Sequence, residues 1–94
     1  MKVVWSRRAI GNLVSLRDYI AEDSPRSANS AAHRILDATE LLTTQPHIGR
    51  AGRITGTREL VVAGTPYVIP YRVRRGTLEL LAVFHGRQKW SENL

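Results

Sequence analysis

The spacing of the hydrophobic residues changes at Gln45-Pro46, and this change restricts the chain to a fold that combines helices with strands. Before Gln45, apolar residues recur every three to four positions, which is the period of a helix with one buried face. After Pro46, β-branched, aromatic and aliphatic residues form short runs between glycine-containing turns, as strands do. Because proline also disfavours helix at the residue before it, we expect the helices to end here and a sheet to follow.

Two helices are predicted in the first half, after a short strand at residues 2–5. Ser6 is placed to cap the first helix, which we expect to end near residues 21–23. Ser24 and Pro25 provide the cap and the first residue of a second helix that continues up to Gln45. So short a connection makes the two helices a helical hairpin.

Three strands are predicted in the second half, at residues 58–62, 67–73 and 78–84. Residues 46–57 contain three glycines and two arginines, so we expect them to form a surface loop with a basic lining. Pro70 cannot donate to a ladder, which predicts a bulge or an unpaired amide position. The predicted fold class is α+β: strand, helix, helix and three strands, with the helical hairpin packed on one face of a mostly antiparallel sheet. Residues 1–94 are expected to form a single domain.

The alternation of side chains along these strands predicts two faces of different chemistry. If Gly64-Thr65 and Arg75-Gly76 are the turns of two hairpins, Arg72 lies opposite Glu79. Alternation then places three polar groups on the face without helices: Glu59, Arg72 and His85. The residues predicted to pack on the helices are Leu60, Val62, Tyr67, Ile69, Tyr71, Val73, Leu78, Leu80, Ala82 and Phe84.

A carboxylate, an arginine and a histidine on one basic surface are what RNA cleavage without a metal requires. One group removes the 2′-hydroxyl proton, another protonates the leaving oxygen, and a guanidinium stabilises charge on the phosphate. The alternative is that Arg72 and Glu79 form a simple cross-strand ion pair, and that His85 is a half-exposed surface residue. Spacing alone favours this second interpretation.

The positive charge is concentrated in the second half of the chain. The net charge is +6, and the region between Gln45 and Trp90 has eight basic residues against Glu59 and Glu79. This distribution predicts an anionic partner, such as nucleic acid or an acidic protein. The residues predicted to bind that target are Arg50, Arg53, Arg58, Arg74, Arg87 and Lys89.

Several classes of protein are excluded or made improbable by composition. The chain has no cysteine, which excludes disulfides and thiolate metal sites. His33 and His47 lack a second ligand at metal-binding spacing, so we expect no metal and no cofactor. The N-terminus lacks a signal-peptide core, and no long apolar run is present, so we expect a cytoplasmic protein without a membrane partner.

Several short motifs, in their order along the chain, resemble the RelE/ParE superfamily of type II toxin–antitoxin toxins. The motifs are Trp5-Ser6, Tyr19-Ile20-Ala21, Ser24-Pro25, Pro46-His47-Ile48-Gly49-Arg50, the block of residues 56–62, the block of residues 67–73, and His85-Gly86-Arg87. The resemblance covers nearly the whole chain. It implies a growth-inhibiting activity and a cognate antitoxin, encoded alongside, that wraps the toxin and masks its basic face. Operator DNA would then be contacted only through the antitoxin.

The superfamily divides by target, and the resemblance leaves two branches open. RelE-like members cleave mRNA on the ribosome. The resemblance to the YoeB-like ones among them implies that Glu59 is the general base, Arg72 the phosphate ligand and His85 the general acid. ParE-like members instead poison DNA gyrase and have no known nuclease centre. The predicted convergence of three groups on one face favours the nuclease branch. A non-toxic RNA-binding module is a third alternative, but the chain lacks the paired aromatics that such modules present on a strand face.

Overall fold

The computed structural model describes residues 1–87, which form two helices and six strands. The elements, in chain order, are β1 (Lys2–Trp5), α1 (Arg7–Ala21), α2 (Pro25–Thr44), β2 (Arg50–Ala51), β3 (Arg58–Val61), β4 (Tyr67–Arg74), β5 (Thr77–Leu80) and β6 (Phe84–His85). The α+β class and the strand, helix, helix order are therefore confirmed. No helix in this part of the chain is long and apolar enough to cross a membrane.

Both helices begin at the residues that the capping signals predict. The Ser6 hydroxyl accepts a hydrogen bond from the Ala9 amide at 3.0 Å and donates one to the Leu81 carbonyl at 2.8 Å. The Ser24 hydroxyl accepts from the Ser27 amide at 3.1 Å, and proline occupies the first turn of α2. These bonds satisfy amides that a helix leaves unpaired at its start, which is why α1 and α2 begin there.

The strands form one mixed sheet in the order β1-β5-β4-β3-β2. Only β1 and β5 are parallel among the described pairs, so the sheet is mostly antiparallel, as predicted. The loop at residues 46–57 contains one element that was not predicted, the two-residue strand β2, which pairs with Arg58 and Glu59 of β3. This pairing brings the arginines of the loop onto the sheet edge.

The two predicted hairpin registers are confirmed. Arg72 lies opposite Glu79, and Leu60 lies opposite Ile69. Arg75 and Gly76 form the β4–β5 turn with φ angles of 53° and 73°, the two positive values that a type I′ turn requires.

The third predicted strand is wrong beyond Leu80, because the pairing to β4 slips by one residue. Tyr71 is paired with Leu80, whereas Val68 is paired with Phe84, so two residues of β4 lie opposite three in residues 81–83. Pro70 is one of the two, and its carbonyl accepts a hydrogen bond from Leu81 at 2.9 Å. The bulge predicted at Pro70 is confirmed, and the strand predicted at residues 78–84 is divided into β5 and β6.

The core lies between the helical hairpin and one face of the sheet. Its buried members are Ala9, Ile35, Leu42, Val62, Ile69, Tyr71, Leu78, Leu80 and Val83. Phe84 was predicted to face the helices, which is wrong, and Val83 takes that side of the chain instead. The extra residue in the bulge reverses the alternation after Leu81, since a shift of one residue moves every following side chain to the other face.

Candidate functional site

The face of the sheet without helices is called the open face below and comprises Lys2, Val4, Glu59, Val61, Val68, Pro70, Arg72, Arg74, Thr77, Glu79 and Phe84. Strand alternation and pairing place these residues on one side. Glu59 and Arg72 therefore share a face, as predicted. Because Glu59 is paired with Pro70, Arg72 is its diagonal neighbour, at roughly 7–8 Å.

Glu59 is a buried carboxylate held by the 46–57 loop. Only 2% of the residue is exposed. One carboxylate oxygen accepts hydrogen bonds from Nε and Nη2 of Arg50, at 3.3 and 3.1 Å. The other accepts the backbone amide of Arg53 at 2.8 Å and lies 3.7 Å from its Nε. Both oxygens are occupied, so the side chain acts as an anchor for the loop that passes over it.

Arg72 is engaged by a second carboxylate, Glu79, on the same face. Arg72 Nε lies 2.9 Å from Glu79 Oε1, and Arg74 Nε lies 3.2 Å from the same oxygen. The hydrogen bond from Arg72, together with the charges of Arg72 and Arg74, lowers the pKa of Glu79 against the opposing effect of burial. The cross-strand ion pair that the sequence suggested as an alternative is therefore present.

His85 does not join Glu59 and Arg72, and the predicted convergence of the three groups is wrong at this residue. In β6, His85 is paired with Tyr67, and the two rings meet edge to face at 5.9 Å between centroids. Tyr67 packs against the core, so His85 lies on the helix side, where it lines a pocket with Asn12 and Tyr19. The cause is the one-residue bulge opposite Pro70, which reverses the alternation on which the prediction rested.

The other predicted target-binding residues fall into three groups. Arg50 and Arg53 are about half exposed but are tied to Glu59. Arg58 donates to the carbonyls of His47 and Gly49, at 3.2 and 2.9 Å, so it fixes the start of the loop. Arg74 and Arg87 are exposed, and Lys89 lies outside the described residues.

A clamp formed by Tyr71 and Gly49 was not predicted. The Tyr71 hydroxyl accepts from the Gly49 amide at 2.9 Å and donates to the Pro46 carbonyl at 2.8 Å. Burial raises the pKa of Tyr71, while the Gly49 hydrogen bond and the charge of Arg58 act in the other direction. A Cβ on Gly49 would lie 2.6 Å from the Tyr71 hydroxyl, so only glycine fits. The residues are far apart in sequence, and no local pattern could have revealed the clamp.

Metal-binding groups are absent from the described part of the chain. Residues 1–87 contain no group of three or more His, Asp or Glu side chains placed to hold an ion. The groups on the open face are instead arginines and carboxylates, which suit contacts with charged surfaces or phosphates.

Comparison with known proteins identifies the family. The model of the family described as ParE toxin of type II toxin-antitoxin system, parDE, matches residues 3–90. The chain belongs to this family. It is therefore a type II toxin of the RelE/ParE superfamily, and the resemblance seen in the sequence is confirmed.

Individual members agree with this assignment. The chain is 42% identical over 93 residues to "Putative toxin Y4kP" of Sinorhizobium fredii, covering 99% of this chain and 96% of the relative. It is 40% identical over 85 residues to "Toxin RelE2" of Caulobacter vibrioides, covering 90% and 94%. A chain in the structure of the chromosomal ParDE TA system from P. aeruginosa superposes with a TM-score of 0.81 at 25% identity, covering 90% of this chain and 95% of that one. A toxin of this family has a cognate antitoxin as partner.

Proposed function

We propose that this ParE-family toxin arrests growth by binding DNA gyrase, and not by cutting mRNA. One observation carries the proposal: His85 lies on the opposite side of the sheet from Glu59 and Arg72. The alternative remains the RelE-like nuclease that the sequence favoured before the strand pairing was known.

Acid–base cleavage of RNA needs a base and an acid within hydrogen-bond reach of one phosphate. Glu59 is buried and has both oxygens engaged by Arg50 and Arg53. The sheet separates His85 from Arg72. A phosphate on the open face would therefore meet arginines and the Glu79 carboxylate, which is already paired with Arg72 and Arg74, but no histidine acid. This supports binding in place of cleavage.

Two of the comparisons support the proposal, and the name of one relative opposes it. The matching family model and the similar solved structure are both of ParE or ParDE proteins, and the resemblance assigns gyrase to the ParE-like branch. The Caulobacter relative is named RelE2, which favours the RNA-cleaving branch. A test must therefore measure both activities in the same protein.

The test compares wild type, His85→Ala and the matched control His33→Ala, which removes an exposed histidine from α2. We expect wild-type toxin to inhibit supercoiling by purified gyrase and to increase cleaved DNA in complex with the enzyme. Growth arrest by His85→Ala should stay within about threefold of wild type at matched soluble levels, because a non-catalytic surface histidine contributes little. Cells expressing wild type should show no ribosome-phased mRNA ends. Such ends, abolished by His85→Ala but not by His33→Ala, would overturn the proposal and establish the nuclease.

A further inference from the structure

Arg75 holds a backbone conformation that arginine rarely adopts. Its φ is 53°, in the left-handed region, and it is the one non-glycine residue with positive φ among the described residues. Type I′ turns place asparagine, aspartate or glycine at this position, because a larger side chain is unfavourable there. An arginine in such a turn is disfavoured by the backbone, so its charge is the feature that needs explanation.

The turn lies at the end of a row of cations that crosses three strands. Lys2 of β1 is aligned with Thr77 of β5, and Thr77 is paired with Arg74 of β4. All three side chains are on the open face. With strands about 4.8 Å apart, Lys2 and Arg74 are about 10 Å from each other, and Arg75 extends beyond them at the turn.

One carboxylate orients this row without neutralising it. Glu79 contacts Arg72 and Arg74 through their Nε atoms, at 2.9 and 3.2 Å, so one carboxylate is shared by two guanidinium groups. Arg75 is exposed and has no hydrogen bond or ion pair within residues 1–87. Four cations, Arg72, Arg74, Arg75 and Lys2, therefore share this end of the sheet with one carboxylate.

The lining of the concavity at this turn distinguishes between two kinds of anionic partner. It measures about 390 Å³ and is lined by Arg74, Arg75, Thr77 and Glu79, without an apolar side chain. Protein interfaces have an apolar centre, whereas nucleic-acid interfaces are polar and strongly positive. The arrangement therefore fits phosphates better than an acidic protein segment.

We propose that the β4–β5 turn, together with Lys2, binds the sugar–phosphate backbone of nucleic acid. Arg74 and Arg75 donate to phosphate oxygens, for which the planar guanidinium is suited, and Lys2 supplies a point charge. Contacts of this kind position a strand without reading its bases. The site is distinct from Arg50 and Arg53, whose guanidinium groups are held by Glu59, and it requires neither gyrase nor a nuclease centre.

The test measures binding of the purified toxin to a fluorescently labelled 20-base-pair DNA duplex by anisotropy over a range of salt concentrations. Arg75→Asn keeps a residue that suits the turn but removes the charge. We expect its Kd to rise about 3- to 10-fold, and the slope of log Kd against log salt to fall by about one. The same variant should melt about 2–4 °C higher than wild type, because asparagine tolerates the left-handed conformation better. Weaker binding by a more stable protein cannot be explained by unfolding.

Arg26→Asn is the matched control, since it removes the same charge from an exposed site. Arg26 precedes Ser27, which lines the same pocket as Gly64 and Tyr67 at the start of β4. That end of β4 is about 27 Å along the strand from the β4–β5 turn. Its Kd should stay within about twofold of wild type. An equal loss in Arg75→Asn and Arg26→Asn, or no loss in Arg75→Asn, would overturn the site. A further outcome would also overturn the site: the toxin does not bind DNA but binds a 20-residue poly-glutamate peptide, and Arg75→Asn weakens that binding. This result would favour an acidic protein as the partner.

Discussion

Two carboxylates on the open face, Glu59 and Glu79, are each held by two arginines, yet their surroundings differ. Glu59 is 2% exposed, lies under the 46–57 loop and accepts a backbone amide as well as side-chain donors. Glu79 has 26% of its side chain exposed, and its Oε1 lies 2.9 Å from Nε of Arg72 and 3.2 Å from Nε of Arg74. The same residue types therefore form a structural anchor at one site and a partly solvent-exposed charge cluster at the other.

The difference shows that burial, and not residue type, decides how much a carboxylate bound by arginines contributes to the stability of the fold. A buried carboxylate must keep its hydrogen bonds, because losing them leaves polar groups without partners. An exposed pair exchanges its contacts with water at little cost. Four measurements test this contrast, from the largest expected effect to the smallest.

Replacing Glu59 should produce the largest loss of stability. In Glu59→Ala, the Arg53 amide loses its acceptor, and the space of a buried side chain is left unfilled. We expect the free energy of unfolding to fall by about 2–4 kcal/mol, measured by urea denaturation. A loss below about 1 kcal/mol would contradict the role of Glu59 as an anchor of the loop and would make it a candidate catalytic group again.

Substitution of Gly49 tests the other attachment of the same loop. In Gly49→Ala, the distance between the new Cβ and Cε1 of the Tyr71 ring would be 2.7 Å. The ring lies in the core and has little room to move away. We expect a loss of about 1–3 kcal/mol in the free energy of unfolding.

Gly11→Ala is the control for this change, because it makes the same substitution where nothing lies within 4 Å of the added Cβ. In the middle of α1 it should raise the free energy of unfolding by about 0.5–1 kcal/mol, since alanine favours helix. Effects of equal sign in the two variants would mean that the clamp on the loop is unimportant.

Removal of Glu79 should have a smaller effect than removal of Glu59. Glu79→Ala is expected to lower the free energy of unfolding by less than about 1 kcal/mol, because the pair is partly exposed to solvent. Parallel urea titrations of Glu59→Ala and Glu79→Ala measure the contrast directly. Equal losses would show that exposure does not separate the two clusters.

The smallest effect is the pH dependence of the Glu79 cluster. Its pKa is lowered in the folded protein from an ordinary value of 4.5, so its stabilising effect is complete above that value and is lost as the pH falls through the folded pKa. The difference in stability between wild type and Glu79→Gln should therefore shrink between pH 6 and pH 3. A difference that grows on acidification would mean that the ion pair does not stabilise the fold.

Much of the fold was predictable because its signals are local. The caps at Ser6 and Ser24, the break at Gln45-Pro46 and the Arg75-Gly76 turn act over a few residues, and each lies where the pattern indicates. The hairpin registers follow from the turns, since a two-residue turn determines which residues of its strands are paired. For the same reason, Glu59 and Arg72 were correctly placed on one face.

The candidate site was predicted less well than the fold. Glu59 is buried under the 46–57 loop, whose strand β2 pairs with β3 and whose Gly49 amide is bound by Tyr71, 22 residues away. Lys2 reaches the basic row because β1 pairs in parallel with β5, a partner that no local pattern identifies. Both features arise from contacts between segments that are distant in the chain.

The sequence by itself determined the helical hairpin, the antiparallel strands, the family and the positive charge of the second half. The position of His85 was decided only by the tertiary structure. Pro70 predicts a bulge, but the strand that carries the extra residue depends on how β6 pairs with β4 after Leu80. Because side chains alternate with a period of two, that single residue moves His85 to the helix side and separates it from Arg72.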